Sequence, residues 1–453
     1  MRRMCLALIL ALLADSVAHG ATEPVHFGLF GYVHTAAPVG EVKRAIVLIS
    51  DKNGWDARAE SLAVALAGDG ALVLGVDLPA YLKQMTSIDD KCSLPASHFE
   101  EMIHWMQRNQ KVDKFIYPLL VGDGAGAMFA YALDAQAPAG TYTGLITLGW
   151  DAGLRLSKPI CKGDAGHVTA TEGSEFRVVP VPKLANPWLP QAFAPDARRV
   201  GALDKLPVRL QGWLTPAVKD PGAELIESVQ WLTARVESTP PLPSDVADLP
   251  LVEVPAQGAF AERIAIILTG DGGWAGLDIA VADQLAKRGI AVVGLNTLKF
   301  FWQTRKPAEA ADALTRIIGH YGAQHSQADF VVLGYSFGAA LSPIVVNRVP
   351  DTARARISAQ VLISPDPEAV FEIHVGDWFG STQHEGAIPI LPEIGKTKVP
   401  VICVHGDEED DSFCKSLVGK PIVRELVLPG GHHYNGDYDK LGAGIAGALP
   451  PRK

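Results

Sequence analysis

Short apolar runs alternate with amphipathic stretches along most of the chain. In the C-terminal half, Ile264–Gly270, Ile290–Asn296, Asp329–Tyr335, Ala359–Ser364, Val399–His405 and Val423–Leu428 are rich in Val, Ile and Leu and do not alternate with polar residues. Runs of this kind suit the strands of a parallel sheet covered on both faces. Between them, Leu277–Arg288, Pro307–Tyr321 and Ala339–Val349 carry apolar residues at helical spacing, and Pro307 followed by Glu309 is a good helix start. The alternation predicts an α/β fold, with mostly parallel sheets, right-handed crossovers and helices on both faces.

The pattern occurs twice. Ala45-Ile46-Val47-Leu48-Ile49-Ser50-Asp51 returns as Ala265-Ile266-Ile267-Leu268-Thr269-Gly270-Asp271, each followed by Gly-Trp, at Gly54-Trp55 and Gly273-Trp274. Leu72-Val73-Leu74-Gly75-Val76-Asp77 returns as Ala291-Val292-Val293-Gly294-Leu295-Asn296. Val121-Gly122-Asp123-Gly124-Ala125-Gly126-Ala127 returns as Leu333-Gly334-Tyr335-Ser336-Phe337-Gly338-Ala339. Order and spacing hold, and the period is that of a duplicated domain rather than of a solenoid repeat. Clustered prolines at Ser238-Thr239-Pro240-Pro241-Leu242-Pro243-Ser244 read as a linker. The expected organisation is a leader over 1–20, a first domain over 21–237, a linker over 238–255 and a second domain over 256–453.

The leader follows from Arg2 and Arg3, the apolar run Met4 to Ala14, and the small-x-small site Ala18-His19-Gly20. The run is too short to span a bilayer and reads as a cleaved secretory signal. Export changes the meaning of the cysteines. Removing Cys5 leaves Cys92, Cys161, Cys403 and Cys414, an even number that favours disulfides in an oxidising compartment. Cys403–Cys414 closes the shorter loop, and Cys92–Cys161 follows by elimination. Composition is that of a globular chain, 48% hydrophobic and 20% charged, and the formal net charge of −10 argues against nucleic-acid binding.

Gly334-Tyr335-Ser336-Phe337-Gly338 is a G-x-S-x-G motif lying between an apolar run and an Ala-rich helical segment. That strand–turn–helix context is what a nucleophile elbow requires: the glycines permit a turn tight enough to project Ser336, and the Phe337 N–H supplies an oxyanion donor. A second donor is expected from the loop Asp271-Gly272-Gly273-Trp274, with Gly272 the candidate. Asp271 and Trp274 are candidates for substrate contact, but both recur in the first copy as Asp51 and Trp55, so a structural role is equally open. The elbow predicts the chain order Ser, acid, His. Glu409 is the candidate acid, with Asp407 and Asp410 open. His432 is the candidate base, with His433 the alternative. The segment Lys299-Phe300-Phe301-Trp302-Gln303-Thr304-Arg305-Lys306-Pro307 belongs to the second copy only. Trp302 and Arg305 could meet an acyl-chain and phosphate interface, or the aromatics could plug the core. No metal or cofactor is called for.

The first copy has Gly124 where the second has Ser336. It also has no histidine after His167 and no acid cluster after Pro207–Leu214. It is expected to be a degenerate, non-catalytic hydrolase-like domain.

The second half resembles the bacterial virulence protein VirJ family. The resemblance is carried by Gly270-Asp271-Gly272-Gly273-Trp274, Phe301-Trp302 to Arg305-Lys306-Pro307, Gly334-Tyr335-Ser336-Phe337-Gly338-Ala339 and Pro429-Gly430-Gly431-His432-His433. The Cys403–Cys414 span around the acidic loop also looks like that family, whereas Phe301 stands where Tyr is expected. A leader plus a degenerate first copy is similar to the AcvB-like, two-copy members. The resemblance implies a periplasmic α/β-hydrolase that removes the amino acid from lysyl-phosphatidylglycerol. It also implies a link to virulence and to type IV secretion components. A non-enzymatic secretion adaptor and an esterase of an unrelated soluble ester are the competing expectations.

Overall fold

The computed structural model describes residues 21–88, 91–163, 165–182, 184, 186–191, 221–236, 245–373 and 386–452. The expected leader, the proline cluster and Pro207–Leu214 lie outside them. The first sheet is built from β1 (Ala21–His26), β2 (Tyr32–Ala36), β3 (Arg44–Ile49), β4 (Ala71–Val76), β5 (Pro118–Asp123), β6 (Gly144–Leu148) and β7 (Trp188–Gln191). Its spatial order is β1-β2-β4-β3-β5-β6-β7, antiparallel at the β1–β2 and β2–β4 pairs and parallel elsewhere.

The second sheet comprises β8 (Leu251–Val254), β9 (Arg263–Leu268), β10 (Ala291–Leu295), β11 (Asp329–Tyr335), β12 (Ile357–Ile363), β13 (Val401–Gly406) and β14 (Val423–Leu428). The order is β8-β10-β9-β11-β12-β13-β14, with β8 the antiparallel edge and every other pair parallel. The run β2-β4-β3-β5-β6 of the first sheet has the same order as β8-β10-β9-β11-β12 of the second. The duplication seen in sequence is therefore a duplication of topology, and the fold is a tandem of α/β-hydrolase-like domains. One element departs from the expected boundaries. Leu251–Val254, inside the segment read as linker, pairs with β10, and the preceding Val246 and Leu249 are buried. Two prolines on either side of a short apolar stretch masked an edge strand.

Helices cover both faces, because strands without polar alternation must bury both sides. On the second sheet, α1 (Gly276–Ala286) and α2 (Tyr438–Ala448) pack on one face through Leu277, Val281, Leu285, Leu441 and Ile445. The other face is covered by Pro307–Gln324 and Phe337–Arg348. Their apolar residues join a core that continues without a break into the first domain, through Phe99, Phe115, Phe129, Phe301 and Trp302. The two domains share buried surface rather than being tethered beads.

Both expected disulfides are formed, Cys92–Cys161 with a Cα–Cα distance of 5.0 Å and Cys403–Cys414 with 5.6 Å. Two disulfides fit folding outside the reducing cytosol. Among the described residues, no helix is long and apolar enough to cross a membrane.

Candidate active site

The site lies where α/β sheets place it, beyond the C-terminal ends of the parallel strands. Strand β11 ends at Tyr335 and the following helix begins at Phe337, leaving Ser336 alone in the turn at φ 48°, ψ −113°. A non-glycine residue in that conformation is strained, which is the usual state of an elbow nucleophile. The flanking glycines are required by contact: a Cβ at Gly334 would collide with the carbonyl of Gly338, and one at Gly338 with the carbonyls of Leu268 and Thr269. The motif thus lets β9, β11 and the helix approach more closely than any side chain allows.

Strand β13 ends at Gly406, and the turn that follows carries Glu409. One carboxylate oxygen, Oε1, lies 2.9 Å from His432 Nδ1. The other, Oε2, accepts the Gly406 N–H at 2.7 Å and the Ser364 hydroxyl at 2.9 Å. Ser364 follows β12 at φ 45° and is itself 2.8 Å from the Tyr434 hydroxyl. Glu409 is therefore held by groups from three successive strand ends. Asp407 lies in the same turn, but its carboxylate accepts the Gly430 N–H at 2.8 Å and braces the loop that presents His432. Asp410 is exposed. His433 is engaged elsewhere, its Nδ1 2.9 Å from the Tyr335 hydroxyl, and desolvation together with the neighbouring His432 lowers its pKa. Of the alternatives open from sequence, the structure brings Glu409 and His432 together. No hydrogen bond joins Ser336 Oγ to His432; such bonds are often long without substrate and tighten in the complex.

The glycine loop after β9 is anchored from behind. Thr297 Oγ1 lies 2.6 Å from the Gly270 carbonyl and 2.9 Å from Thr269 Oγ1. The Gly273 N–H is used on the Gly270 carbonyl at 3.0 Å. Among the described residues the Asp271 and Gly272 N–H groups have no acceptor, and neither does the Phe337 N–H, so the loop and the elbow offer open donors.

The first copy keeps the elbow and closes it. Gly124 adopts φ 53°, ψ −109°, almost the values of Ser336. The Asp51 carboxylate accepts the Ala125 N–H at 2.7 Å and occupies the space a Cβ at position 124 would need. Asp271 is the duplicate of Asp51, yet it does not cap Phe337.

Residues 262–453 match the family described as bacterial virulence protein (VirJ). The match covers the second domain and every residue of the site just described. No curated protein matches the chain. Solved structures with a similar arrangement include an alpha-beta serine hydrolase homologue from Coxiella burnetii, at 15% identity over 44% of this chain and 91% of that chain, TM-score 0.32. Est1E from Butyrivibrio proteoclasticus, with ferulic acid bound, gives 14% identity over 44% and 92% with TM-score 0.32. A lidless a/b serine hydrolase from Xanthomonas campestris gives 15% over 48% and 100%, also with TM-score 0.32. These values are too low to carry function, and the fold assignment stands on the strand order and the elbow.

Three candidate substrate contacts of the second domain have packing partners. Trp302 is buried, donates its Nε1–H to the Val112 carbonyl at 2.8 Å and lies under Arg108, so it plugs the seam between the domains. In sequence, a three-aromatic run beside cations fits a docking strip as well as a core plug, because its burial partner is on the other domain. The Trp274 ring fills the space above Gly294, just as Trp55 fills that above Gly75. It is a packing residue in both copies. Arg305 donates to the Phe300 carbonyl at 2.7 Å and stacks on the Phe300 ring. Asp271 remains in the cleft, half-buried.

Residues that sequence reasoning missed complete the site. Ser364 and Tyr434 hold the acid, Tyr335 holds His433, and Asp366 lies close enough to His432, Asp271 and Glu409 to interact with all three. Desolvation raises the Asp366 pKa, with Asp271 and Glu409 adding to the rise. Ser364-Pro365-Asp366 directly after a strand was the only available signal. Glu100 comes from the other domain, and nothing in its local sequence marks it.

Proposed function

We propose that the second domain is a periplasmic serine esterase that cleaves the aminoacyl ester of lysyl-phosphatidylglycerol at the membrane surface. The observation that carries the reading is a contrast between the copies. Where serine is kept, the elbow amide is open and a carboxylate–histidine pair stands beside it. Where serine is lost, the amide is capped by Asp51.

In this reading Ser336 Oγ attacks the ester carbonyl while His432 Nε2 takes its proton. Glu409 accepts from Nδ1, fixing the tautomer and stabilising the imidazolium. The oxyanion is received by the Phe337 N–H and by the loop amide of Gly272 or Asp271. Collapse expels the glycerol alkoxide of the lipid, which takes the proton back from His432. Water, deprotonated by the same imidazole, then attacks the aminoacyl-enzyme and releases lysine and Ser336. The cleft is lined by carboxyl groups, with Asp366 interacting with His432, Asp271 and Glu409, which suits a cationic acyl group better than a fatty one. The exposed Glu408, Asp410 and Asp411 lie further out, on the turn.

The test is hydrolysis of lysyl-phosphatidylglycerol in phosphatidylglycerol vesicles by the purified protein and by Ser336→Ala. The substitution should lower kcat by roughly 10³-fold or more and abolish labelling by a fluorophosphonate. Wild-type turnover by Ser336→Ala would remove the serine-esterase reading. Activity on p-nitrophenyl butyrate with none on the lipid would leave an esterase of a different ester.

A further inference from the structure

Three parts of the first domain meet the glycine loop of the second, one residue after another. Glu100, in the helix Pro95–Asn109, approaches Gly272 so closely that a Cβ there would lie 3.0 Å from its carboxylate. The Tyr117 hydroxyl occupies the space of a Cβ at Gly273. Gly140, at φ 89°, packs against the Trp274 carbonyl with no room for a side chain. Tyr117 is also bonded: Asn296 Nδ2 donates to its hydroxyl oxygen at 2.8 Å, while Asn296 Oδ1 accepts the Lys299 N–H at 3.1 Å. The ammonium of Lys299 lies 5.1 Å from the Tyr117 ring centre.

Gly273 sits at φ 77°, and its missing side chain is what admits Tyr117. The loop is thus shaped on one side by its own domain, through Thr297, and on the other by the first domain. Among the described residues, the Asp271 and Gly272 amides between these supports are left without acceptors.

We propose that the first domain is a working part of the catalytic site in the second, with Tyr117 a positioning residue that holds the Asp271–Gly273 loop as an oxyanion-binding strand of open amides. This rests on the esterase reading above. It accounts for the survival of a domain whose own elbow is closed: the domain supplies the outer wall of the loop rather than chemistry. The shared core and the Trp302 plug fix the wall in place.

The experiment is Tyr117→Phe in the full chain. The change removes one oxygen and leaves the ring, so the fold and the seam should persist. Losing an oxyanion donor outright costs about 10²–10³ in kcat, and a displaced loop should lose part of that. The expected result is a fall of roughly ten- to a hundredfold in kcat on p-nitrophenyl butyrate, with KM within about twofold and the melting temperature lowered by no more than about 2–4 °C, the cost of leaving Asn296 Nδ2 without its acceptor. Fluorophosphonate labelling of Ser336 should slow in parallel, since its adduct uses the same donors.

Wild-type kcat and labelling in Tyr117→Phe would overturn the inference. So would a variant in which kcat falls only together with a large drop in melting temperature and a rise in KM, because that is loss of structure. If the wild-type protein itself neither hydrolyses ester nor takes the label, the esterase reading falls, and this inference with it.

Discussion

Glu409→Gln is the sharpest probe of the site, because the surroundings of the carboxylate dictate how the amide must sit. Oε2 accepts the Gly406 N–H at 2.7 Å and the Ser364 hydroxyl at 2.9 Å, while Oε1 faces His432 Nδ1 at 2.9 Å. Ser364 can turn its proton towards Tyr434, but the Gly406 N–H cannot turn. The glutamine must therefore place its carbonyl oxygen at the Oε2 position and its NH2 against His432. Nδ1 then becomes an acceptor, the ring proton moves to Nε2, and the nitrogen that should deprotonate Ser336 is blocked. Volume and hydrogen-bond count are preserved, so stability should change little. A histidine held in the wrong tautomer lowers kcat by about 10⁴, or about 5.5 kcal/mol of transition-state stabilisation. The assay is steady-state hydrolysis of p-nitrophenyl butyrate near neutral pH, with a thermal melt as control. A folded Glu409→Gln protein retaining more than a tenth of wild-type kcat would refute the assignment of Glu409 as the orienting acid.

Three further outcomes follow from the geometry. Replacing Cys403 and Cys414 together with serine should cost at most about 2–3 kcal/mol by the chain-entropy model and should depress activity more than stability, since Cys403 lies in β13 and Cys414 ends the acidic loop; peptide mapping without reductant checks the bridge, and two free thiols would disprove it. Gly124→Ser in a Ser336→Ala background should stay inactive and unlabelled by fluorophosphonate, because Asp51 occupies the space the new side chain needs; labelling at residue 124 would show that the first elbow is open. Glu100 has its pKa raised from 4.5 to about 8, first by burial and then by Asp271. A carboxyl whose folded pKa is raised keeps a proton that the unfolded chain releases, so its contribution to stability falls as pH rises between those values. Glu100→Gln should therefore gain melting temperature relative to wild type from pH 5 to pH 8, and a pH-independent difference would show that Glu100 is solvated.

The alternation of apolar runs and helical segments was enough to read the sheets, because strands buried on both faces leave a signal that needs no partner to interpret. All six strands expected in the second copy match the observed ones to within two residues at each end. The edge strand Leu251–Val254 escaped because half its surface is open, so it lacks that signature. The triad candidates were legible for a different reason: turn chemistry is local, and G-x-S-x-G names its own geometry. The choice among Glu409, Asp407 and Asp410 was not legible. It depends on which carboxylate the Gly406 and Gly430 amides bind, and those amides carry no sequence identity. The choice for Trp302 between docking strip and core plug stayed open for a related reason. An aromatic run does not reveal whether it is covered when the surface it fills lies some 190 positions earlier in the chain.

The same limit explains why the relation between the domains came only from coordinates. Asp51 and Asp271 are the same residue in the repeat, on loops of the same origin, beside elbows of nearly identical backbone angles. In the first copy the carboxylate reaches the elbow amide of Ala125 and fills the site. In the second it does not reach Phe337, and the loop that carries it is pressed by Glu100, Tyr117 and Gly140 from outside. Loss of the serine removes the need for an open amide, and an aspartate already present two strands away then satisfies the unpaired N–H, which would otherwise be costly to bury. Closure of one site and support of the other are thus compatible outcomes of one duplication. The first domain kept its sheet, its elbow and its packing because those build the wall against which the second domain's loop stays open.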